Sequence, residues 1–169
     1  MRKICVSLPY PQLTMQSDFT SATIIGRAFA SSHSELTALM QYTYHSLIFK
    51  GLNDLETAEI LEGISICEMK HFEILGCALY QLGVDPIFTT LPPYKYGFFT
   101  TSCVQFSKTP QKMLMDDISA ELVGIEEYRK MLTLLNNEQV GAIISRIILD
   151  EELHVKTLKA RLEQICAKN

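Results

Sequence analysis

The sequence predicts an all-α protein: a four-helix bundle made of two antiparallel helix hairpins, with a long crossover between the second and third helices. Three observations lead to this prediction. Apolar residues recur at helical spacing along four long segments, which indicates helices with one buried face. A segment rich in proline and aromatic residues separates the second of these segments from the third. The two halves of the chain also repeat the same pattern of glutamate, tyrosine and histidine at an offset of 83 to 86 residues.

The first helix is predicted from about residue 18 to 49. Ala28, Glu35, Tyr42 and Phe49 recur every seven residues along it, so they lie on one face. Glycine lowers helix stability, and the sequence therefore predicts that a kink or break in this helix would fall at Gly26. The residues before it, 1–17, contain two early prolines and are predicted to form an extended N-terminal arm.

A second helix is expected from Asn53, an N-cap residue with Glu56 three positions later, to about Leu82. Gly83 then provides a helix stop. The sequence thus predicts a short loop between the first and second helices, and an antiparallel hairpin.

The crossover is predicted at 84–109, inside a bundle domain that spans 18–169. It is long for a connection in a compact domain, but it is long enough to run from one end of a bundle to the other. The third helix is expected from Pro110, with Thr109 as N-cap, to about Leu135. The fourth helix should follow a tight turn and end near Cys166.

Two Glu-x-x-His motifs carry the chemistry. Residues three apart share one face of a helix, so the glutamate and histidine of each motif can bind the same metal ion. Another glutamate precedes each motif on the neighbouring helix, and a tyrosine follows that glutamate by seven residues. The six predicted metal ligands are Glu35, Glu68, His71, Glu121, Glu151 and His154.

All four glutamates lie in the apolar faces of their helices, where an ionised carboxylate is costly to bury. Four of them facing one another would also repel. Two divalent cations would balance the four negative charges, and mixed carboxylate and imidazole ligands suit iron or manganese. The sequence therefore predicts two iron or manganese ions per chain, with Glu35 and Glu121 either bridging or terminal.

Three further residues are candidates for a supporting role. Tyr42 and Tyr128 could be ordinary core aromatics, or they could donate a hydrogen bond to a ligand carboxylate or act as redox-active phenols. Asp150 could accept the N–H of a ligand histidine and orient it, or be a surface acid. His33 and His45 are expected at the surface or at the rim of the site.

On these motifs, the chain resembles the ferritin-like superfamily, most closely its rubrerythrin and bacterioferritin branch, and manganese catalases are also similar. The resemblance covers about residues 18–166. It implies a dinuclear centre that reacts with hydrogen peroxide or dioxygen, as a peroxidase, ferroxidase or catalase, with an unidentified external electron donor. Rubrerythrins carry a further ligand glutamate where this chain has Gly124, and the sequence contains no rubredoxin-type cysteine pairs.

We therefore expect a dinuclear oxidoreductase. The alternative is a metal-storage or structural assembly subunit, such as a cage or coat protein, built on the same bundle. In either case the resemblance implies a homodimer or a larger homo-oligomer.

The composition limits the classes of partner that the sequence predicts. The net charge is −4 and no basic cluster stands out, which argues against a nucleic-acid partner. No apolar run reaches the roughly 18–20 residues of a membrane span. Five cysteines without a C-x-x-C pair predict reduced thiols and a cytoplasmic protein, with Cys67 and Cys77 as small core residues.

Overall fold

The computed structural model describes residues 3–12, 14 and 16–167. Residues 1, 2, 13, 15, 168 and 169, which belong to the predicted arm and to the end of the predicted bundle domain, lie outside the described residues. The described part contains five α-helices and one 3-10 turn at Thr101–Cys103. The helices are α1 (Phe19–Ala30), α2 (Glu35–Gly51), α3 (Leu55–Gln81), α4 (Pro110–Leu134) and α5 (Glu138–Cys166). The predicted all-α four-helix bundle is confirmed, with α2 to α5 as its four helices.

The predicted first helix is two helices, α1 and α2, which together run antiparallel to α3. The backbone N–H of Asp18 bonds to the carbonyl of Leu82 at one end, and Ser46 bonds to the carbonyl of Ala58 near the other. The chain breaks between them at 31–34, not at Gly26.

Hydrogen bonds of the Ser34 and Thr37 side chains stabilise this break. Ser34 is the N-cap of α2 and accepts the backbone N–H of Thr37, and both hydroxyls donate to the carbonyl of Ser31 at 2.8 and 2.7 Å. These bonds satisfy backbone groups that a helix break leaves open. Gly26 lies inside α1, where an added Cβ would be 3.2 Å from the ring of Pro92, so this glycine makes room for the crossover.

The other helix ends lie close to their predicted positions. Asp54, one residue after the expected Asn53, caps α3 by accepting the N–H of Thr57, while Asn53 itself adopts a φ of 60°. Gly83, after α3, has a φ of 88°, a conformation that favours glycine. Thr109 is the N-cap of α4 and is followed by Pro110, as predicted.

The crossover is ordered, and part of its aromatic content packs against the bundle. Phe88 contacts the stacked pair Phe29 and Phe72 edge-on, at centroid distances of 5.6 and 5.3 Å. Tyr96 and Phe98 remain exposed. The aromatic residues of the crossover therefore differ, since Phe88 packs against the bundle and these two rings face solvent.

Two apolar clusters fill the bundle, one toward each end. One contains Leu75 and Ile147, and the other contains Phe49, Leu61 and Leu114. The Glu-x-x-His motifs of α3 and α5 lie between the two clusters along their helices. A polar layer at mid-bundle is thus closed at both ends by apolar side chains.

The N-terminal segment lies along α3 and α5. The N–H of Ile4 bonds to the carbonyl of Gly63, and the Arg146 guanidinium donates to the carbonyl of Leu8 at 2.9 Å. A disulfide joins Cys5 to Cys67 of α3, with Cα atoms 6.0 Å apart.

The disulfide contradicts the prediction of reduced thiols for Cys5 and Cys67. The two residues are 62 positions apart, and only the folding of the N-terminal segment onto α3 brings them together. Cys67 is buried as expected, but Cys77 is exposed, so its assignment to the core was wrong. Among the described helices, none is long and apolar enough to cross a membrane.

Candidate metal centre

The structure brings all six predicted ligands together in the middle of the bundle. Each is at most 4% exposed. Their ligand atoms form two overlapping groups, and within each group the atoms lie within 4.8 Å of one another. The first group is Glu35, Glu68, His71 and Glu151, and the second is Glu68, Glu121, Glu151 and His154. Glu68 and Glu151 belong to both groups, whereas Glu35 and Glu121 each belong to one.

Both histidines turn Nδ1 toward the carboxylates. The Nδ1 atom of His71 lies 3.1 Å from Glu151 and 3.3 Å from Glu35. The Nδ1 atom of His154 lies 3.0 Å from Glu68 and 3.3 Å from Glu121. Each motif thus presents one imidazole nitrogen to the group that contains its own glutamate.

The outer nitrogen of each ring is held by an acceptor. The Nε2 atom of His154 lies 2.8 Å from the carbonyl of Ile4, and since a carbonyl only accepts, Nε2 must carry the proton. The Nε2 atom of His71 lies 3.1 Å from an oxygen of Asp150. With Nε2 protonated, Nδ1 of a neutral imidazole has a free lone pair for a metal.

Asp150 is itself held in place by several donors. The backbone N–H of Val6 and the hydroxyl of Tyr10 donate to its carboxylate, each at 2.6 Å, and Arg146 forms an ion pair with it at 2.7 Å. Burial alone would raise the pKa of Asp150, but the hydrogen bonds from His71 and Tyr10 lower it below its usual range. Sequence reasoning singled out Asp150 but missed these three donors, because two of them lie in the N-terminal segment.

The two tyrosines connect the halves of the site crosswise. Tyr42 of α2 donates its hydroxyl proton to Glu121 of α4, and Tyr128 of α4 donates to Glu35 of α2. Each tyrosine thus bonds to the glutamate of the other hairpin. This exchange is what a two-fold relation between the hairpins would produce, and it gives both tyrosines a carboxylate partner.

The site shifts the pKa values of its carboxylates and imidazoles in different directions. Burial, with the repulsion of a neighbouring glutamate, raises the pKa of both Glu35 and Glu121 well above the usual range. Burial and the charge of Glu68 oppose ionisation of Glu151 as well, but the hydrogen bond from Glu121 and the nearby imidazole of His154 bring its pKa to about 2. Burial lowers the pKa of His154, yet the surrounding carboxylates raise it well above its ordinary value.

Two buried atoms point to a missing partner. Oε1 of Glu68 and Nδ1 of His154 face each other, but neither makes a hydrogen bond with any described residue. Buried polar atoms are almost always bonded, so atoms left without a hydrogen bond require an explanation. The donor set of four carboxylates and two imidazoles suits iron or manganese. The residues present therefore fit a pair of divalent ions.

Metal loading is expected to release protons and to weaken as the pH falls. The pKa of His71 is raised well above about 6.5, the ordinary value, by Glu35 and Asp150 against the opposing effect of burial. A metal ion must displace this proton, so apparent affinity should fall as soon as the pH drops below the raised value. Manganese titrations at several pH values, with a pH indicator in weak buffer, measure both effects. A proton-independent affinity near neutral pH would contradict this.

A cavity of about 330 Å³ reaches the carboxylates from the side of α2 and α4. Glu35 and Glu121 line its inner part, and Gly124 and Glu127 line its α4 wall. An added Cβ at Gly124 would meet nothing within 4 Å, so the wall borders open space at this position. Residues 3–12 contact α3 and α5, and none of them lines this cavity.

Beside the cavity lies a buried polar cluster that the sequence reasoning missed. His45, expected near the surface, is fully buried, and its Nδ1 lies 2.8 Å from Asp117, also fully buried. Its Nε2 lies 3.0 Å from the carbonyl of Gln105, and Gln41 accepts the Gln105 N–H. The cluster fastens the crossover to α2. His33 is exposed, as expected.

Replacing His45 with alanine is expected to destabilise the protein by about 1–3 kcal/mol, because it leaves the buried Asp117 without one of its two side-chain hydrogen-bond partners among the described residues. Urea denaturation measures this. The control is His33→Ala, an exposed site where the change should be within about 0.5 kcal/mol. Equal effects of the two substitutions would show that the cluster contributes nothing to stability.

Comparisons with known proteins agree with this architecture. A family model described as a ferritin-like domain matches residues 31–167. A bacterioferritin from Mycolicibacterium paratuberculosis is 26% identical over 133 residues, which is 77% of each chain. The fold matches a Mycobacterium tuberculosis bacterioferritin, BfrA, with a TM-score of 0.74 at 22% identity, over 90% of each chain. It also matches KatB, a manganese catalase from Anabaena, with a TM-score of 0.79 at 18% identity, over 95% of this chain and 79% of that one.

Proposed function

Because the chain belongs to the ferritin-like domain family, we propose that it is a dinuclear iron or manganese oxidoreductase that acts on hydrogen peroxide or dioxygen. The observation that carries this proposal is the pair of overlapping ligand groups that share Glu68 and Glu151. Shared carboxylates let one small site hold two ions close together. A cavity leads from the surface to the same carboxylates.

The protein's own side chains have distinct tasks in this proposal. Glu68 and Glu151 would serve both ions, and Glu35 and Glu121 one each, with their orientation held by the hydrogen bonds from Tyr128 and Tyr42. The bound ions would supply Lewis acidity and the electrons exchanged with the oxygen species. The apolar clusters close the site toward both ends of the bundle, and their low polarity strengthens its electrostatic interactions.

The cavity favours a small substrate that arrives between α2 and α4. Its apolar and small residues, including Ala38, Ala120 and Gly124, let a molecule of the size of peroxide or dioxygen pass. The polar atoms at its inner end belong to the ligand carboxylates. Location in the cytoplasm and assembly into a homo-oligomer are parts of the same proposal.

The second candidate function is metal storage. The bacterioferritin from Mycolicibacterium paratuberculosis favours it, since the similarity extends over 77% of each chain. A storage subunit would take up many more than two ions per chain and would assemble into a large closed shell. The mass of the particle in solution, measured with its metal content, separates this candidate from a small enzyme.

The test of the main proposal is direct reaction of the loaded protein. The metal-free protein is loaded under argon with ferrous iron or manganese, and then mixed with hydrogen peroxide or with dioxygenated buffer. We expect peroxide to be consumed at a rate that depends on bound metal, and Glu68→Gln to abolish it. Oxygen evolution would identify a catalase, and its absence with an added reductant a peroxidase. A loaded protein that consumes neither oxidant would refute the proposal.

A further inference from the structure

The Cys5–Cys67 disulfide lies directly against the candidate metal centre. Cys67 precedes Glu68 on α3 and is fully buried. Its Sγ atom is 3.6 Å from Nε2 of His71 and 3.9 Å from the hydroxyl of Tyr10. The disulfide therefore touches a predicted metal ligand on the side that faces away from the carboxylates.

A single imidazole ring spans the distance between the sulfur and the ligand cluster. Nε2 of His71 faces Cys67, while Nδ1 of the same ring lies 3.1 Å from Glu151 and 3.3 Å from Glu35. We propose that Cys5 and Cys67 are a redox-active pair that stores two electrons and delivers them to the metal centre. This inference rests on the proposed function, because the reduction of peroxide at the metal centre needs an electron donor. The cysteine pair would be that donor.

The reaction balances without any further component. In the reduced protein the two thiols lose two electrons and two protons, and the Cys5–Cys67 S–S bond forms. Hydrogen peroxide takes up the same two electrons and two protons, its O–O bond breaks, and two water molecules are released. A carboxylate oxygen of Asp150, the residue that holds Nε2 of His71, lies within 4.8 Å of both sulfurs, so the cysteine pair and this ligand histidine share one neighbour.

The surroundings of the two sulfurs differ in a way that suits repeated turnover. Cys5 is only partly buried, whereas Cys67 is fully buried. An external dithiol could therefore attack the sulfur of Cys5 and release Cys67 as the leaving thiolate beside His71. In a cytoplasmic protein, disulfides are usually transient and serve catalysis or redox sensing.

The cysteine pair also has no counterpart at the matching position of the other hairpin. The position before the Glu-x-x-His motif is Cys67 in α3 and Asp150 in α5. The bundle thus does not need a disulfide at this place in both hairpins, and the second half holds the corresponding place with a hydrogen-bonded carboxylate.

Thiol counting tests the proposal on the unmodified protein. The protein is reduced with dithiothreitol, desalted under argon, loaded with manganese or ferrous iron, and given one equivalent of hydrogen peroxide. Free thiols are then alkylated and located by mass spectrometry. We expect the loaded protein to lose two thiols per chain, at Cys5 and Cys67, while Cys77, Cys103 and Cys166 stay free as internal references. The metal-free protein should keep all five over the same time.

Cys5→Ser separates electron delivery from a purely structural role of the disulfide. With dithiothreitol as the donor, we expect steady-state peroxide reduction by this variant to fall to the level of the metal-free protein. With ascorbate, which does not need the thiols, we expect wild-type turnover. An equal loss with both donors would show that the disulfide only holds the N-terminal segment, and would overturn the proposal.

Two further outcomes are distinguishable. Peroxide consumption by the loaded protein with all five thiols unchanged would overturn the electron-storage role and leave the proposed function standing. No consumption of peroxide with either donor would refute the proposed function and this inference together.

Discussion

Glu68→Gln is expected to remove both metal ions, whereas Glu35→Gln should remove only one. Glu68 belongs to both ligand groups and Glu35 to one, so the two substitutions differ in metal content although they change the same chemical group. An amide binds these cations far more weakly than a carboxylate. Elemental analysis of protein purified without chelators should give two ions per chain for the wild type, about one for Glu35→Gln and less than about half for Glu68→Gln.

Thermal unfolding provides an independent measure of the same effect. Metal at 1,000 times its dissociation constant should stabilise the wild type by about 4 kcal/mol, which is on the order of 10 °C for a domain of this size. Glu68→Gln should show no such shift. Glu152→Gln, an exposed glutamate on the same helix as Glu151, is the control and should respond like the wild type. If metal raised the unfolding temperature of Glu68→Gln as much as that of the wild type, this result would contradict the assignment of Glu68 as a ligand.

Asp150→Ala should strongly lower both the stability of the protein and its affinity for metal. It leaves the nearly buried Arg146 without its ion-pair partner and removes the acceptor of His71. Breaking a buried ion pair costs about 3–5 kcal/mol, and loss of the group that orients a ligand histidine weakens metal binding about 10–100-fold. Urea denaturation of the metal-free protein measures the first effect, and competition with a chelator the second.

The dependence of the free energy of unfolding on pH, measured at acidic pH, provides a second test of the role of Asp150. The pKa of Asp150 is depressed in the folded protein, so its contribution to stability is present above about pH 4 and is lost as the pH falls further. Asp150→Asn should therefore lose part of the wild-type dependence of stability on pH in this range. Glu152→Ala removes only an exposed ion pair with Arg129 and should cost at most about 1 kcal/mol. An Asp150 variant as stable as that control would show that the network is dispensable.

The ligand set could be predicted because helical periodicity places each ligand on an apolar face. Glu68 and His71 share such a face with Leu61, Ile64 and Leu75, which are fully buried, and a buried carboxylate needs a partner. The structure places these side chains together as this reasoning expects. Their role as metal ligands remains a prediction.

The contacts that support the ligands could not be predicted, because they join segments far apart in the chain. The carbonyl of Ile4 meets His154 across 150 positions, and the Cys5–Cys67 pair spans 62. No periodicity in the sequence reports such a contact. His45 was predicted at the surface or at the rim of the site for the same reason, since its partner Asp117 lies on another helix.

The break between α1 and α2 did have a signal in the sequence. Three serines and a histidine at 31–34 are poor helix formers, and serine is a favoured N-cap. The seven-residue spacing from Ala28 to Glu35 continues across the break and conceals it. The predicted break was therefore placed at Gly26. The nearby ring of Pro92 explains why this position is a glycine.

We infer that this bundle holds two metal ions through shared carboxylates, and anomalous diffraction is the strongest test of that claim. Crystals of protein loaded with iron or manganese would be measured above and below the absorption edge of that metal. The prediction is two anomalous peaks per chain, one among Glu35, Glu68, His71 and Glu151, and one among Glu68, Glu121, Glu151 and His154. Absence of anomalous density among these residues, or density only elsewhere on the protein, would contradict the claim.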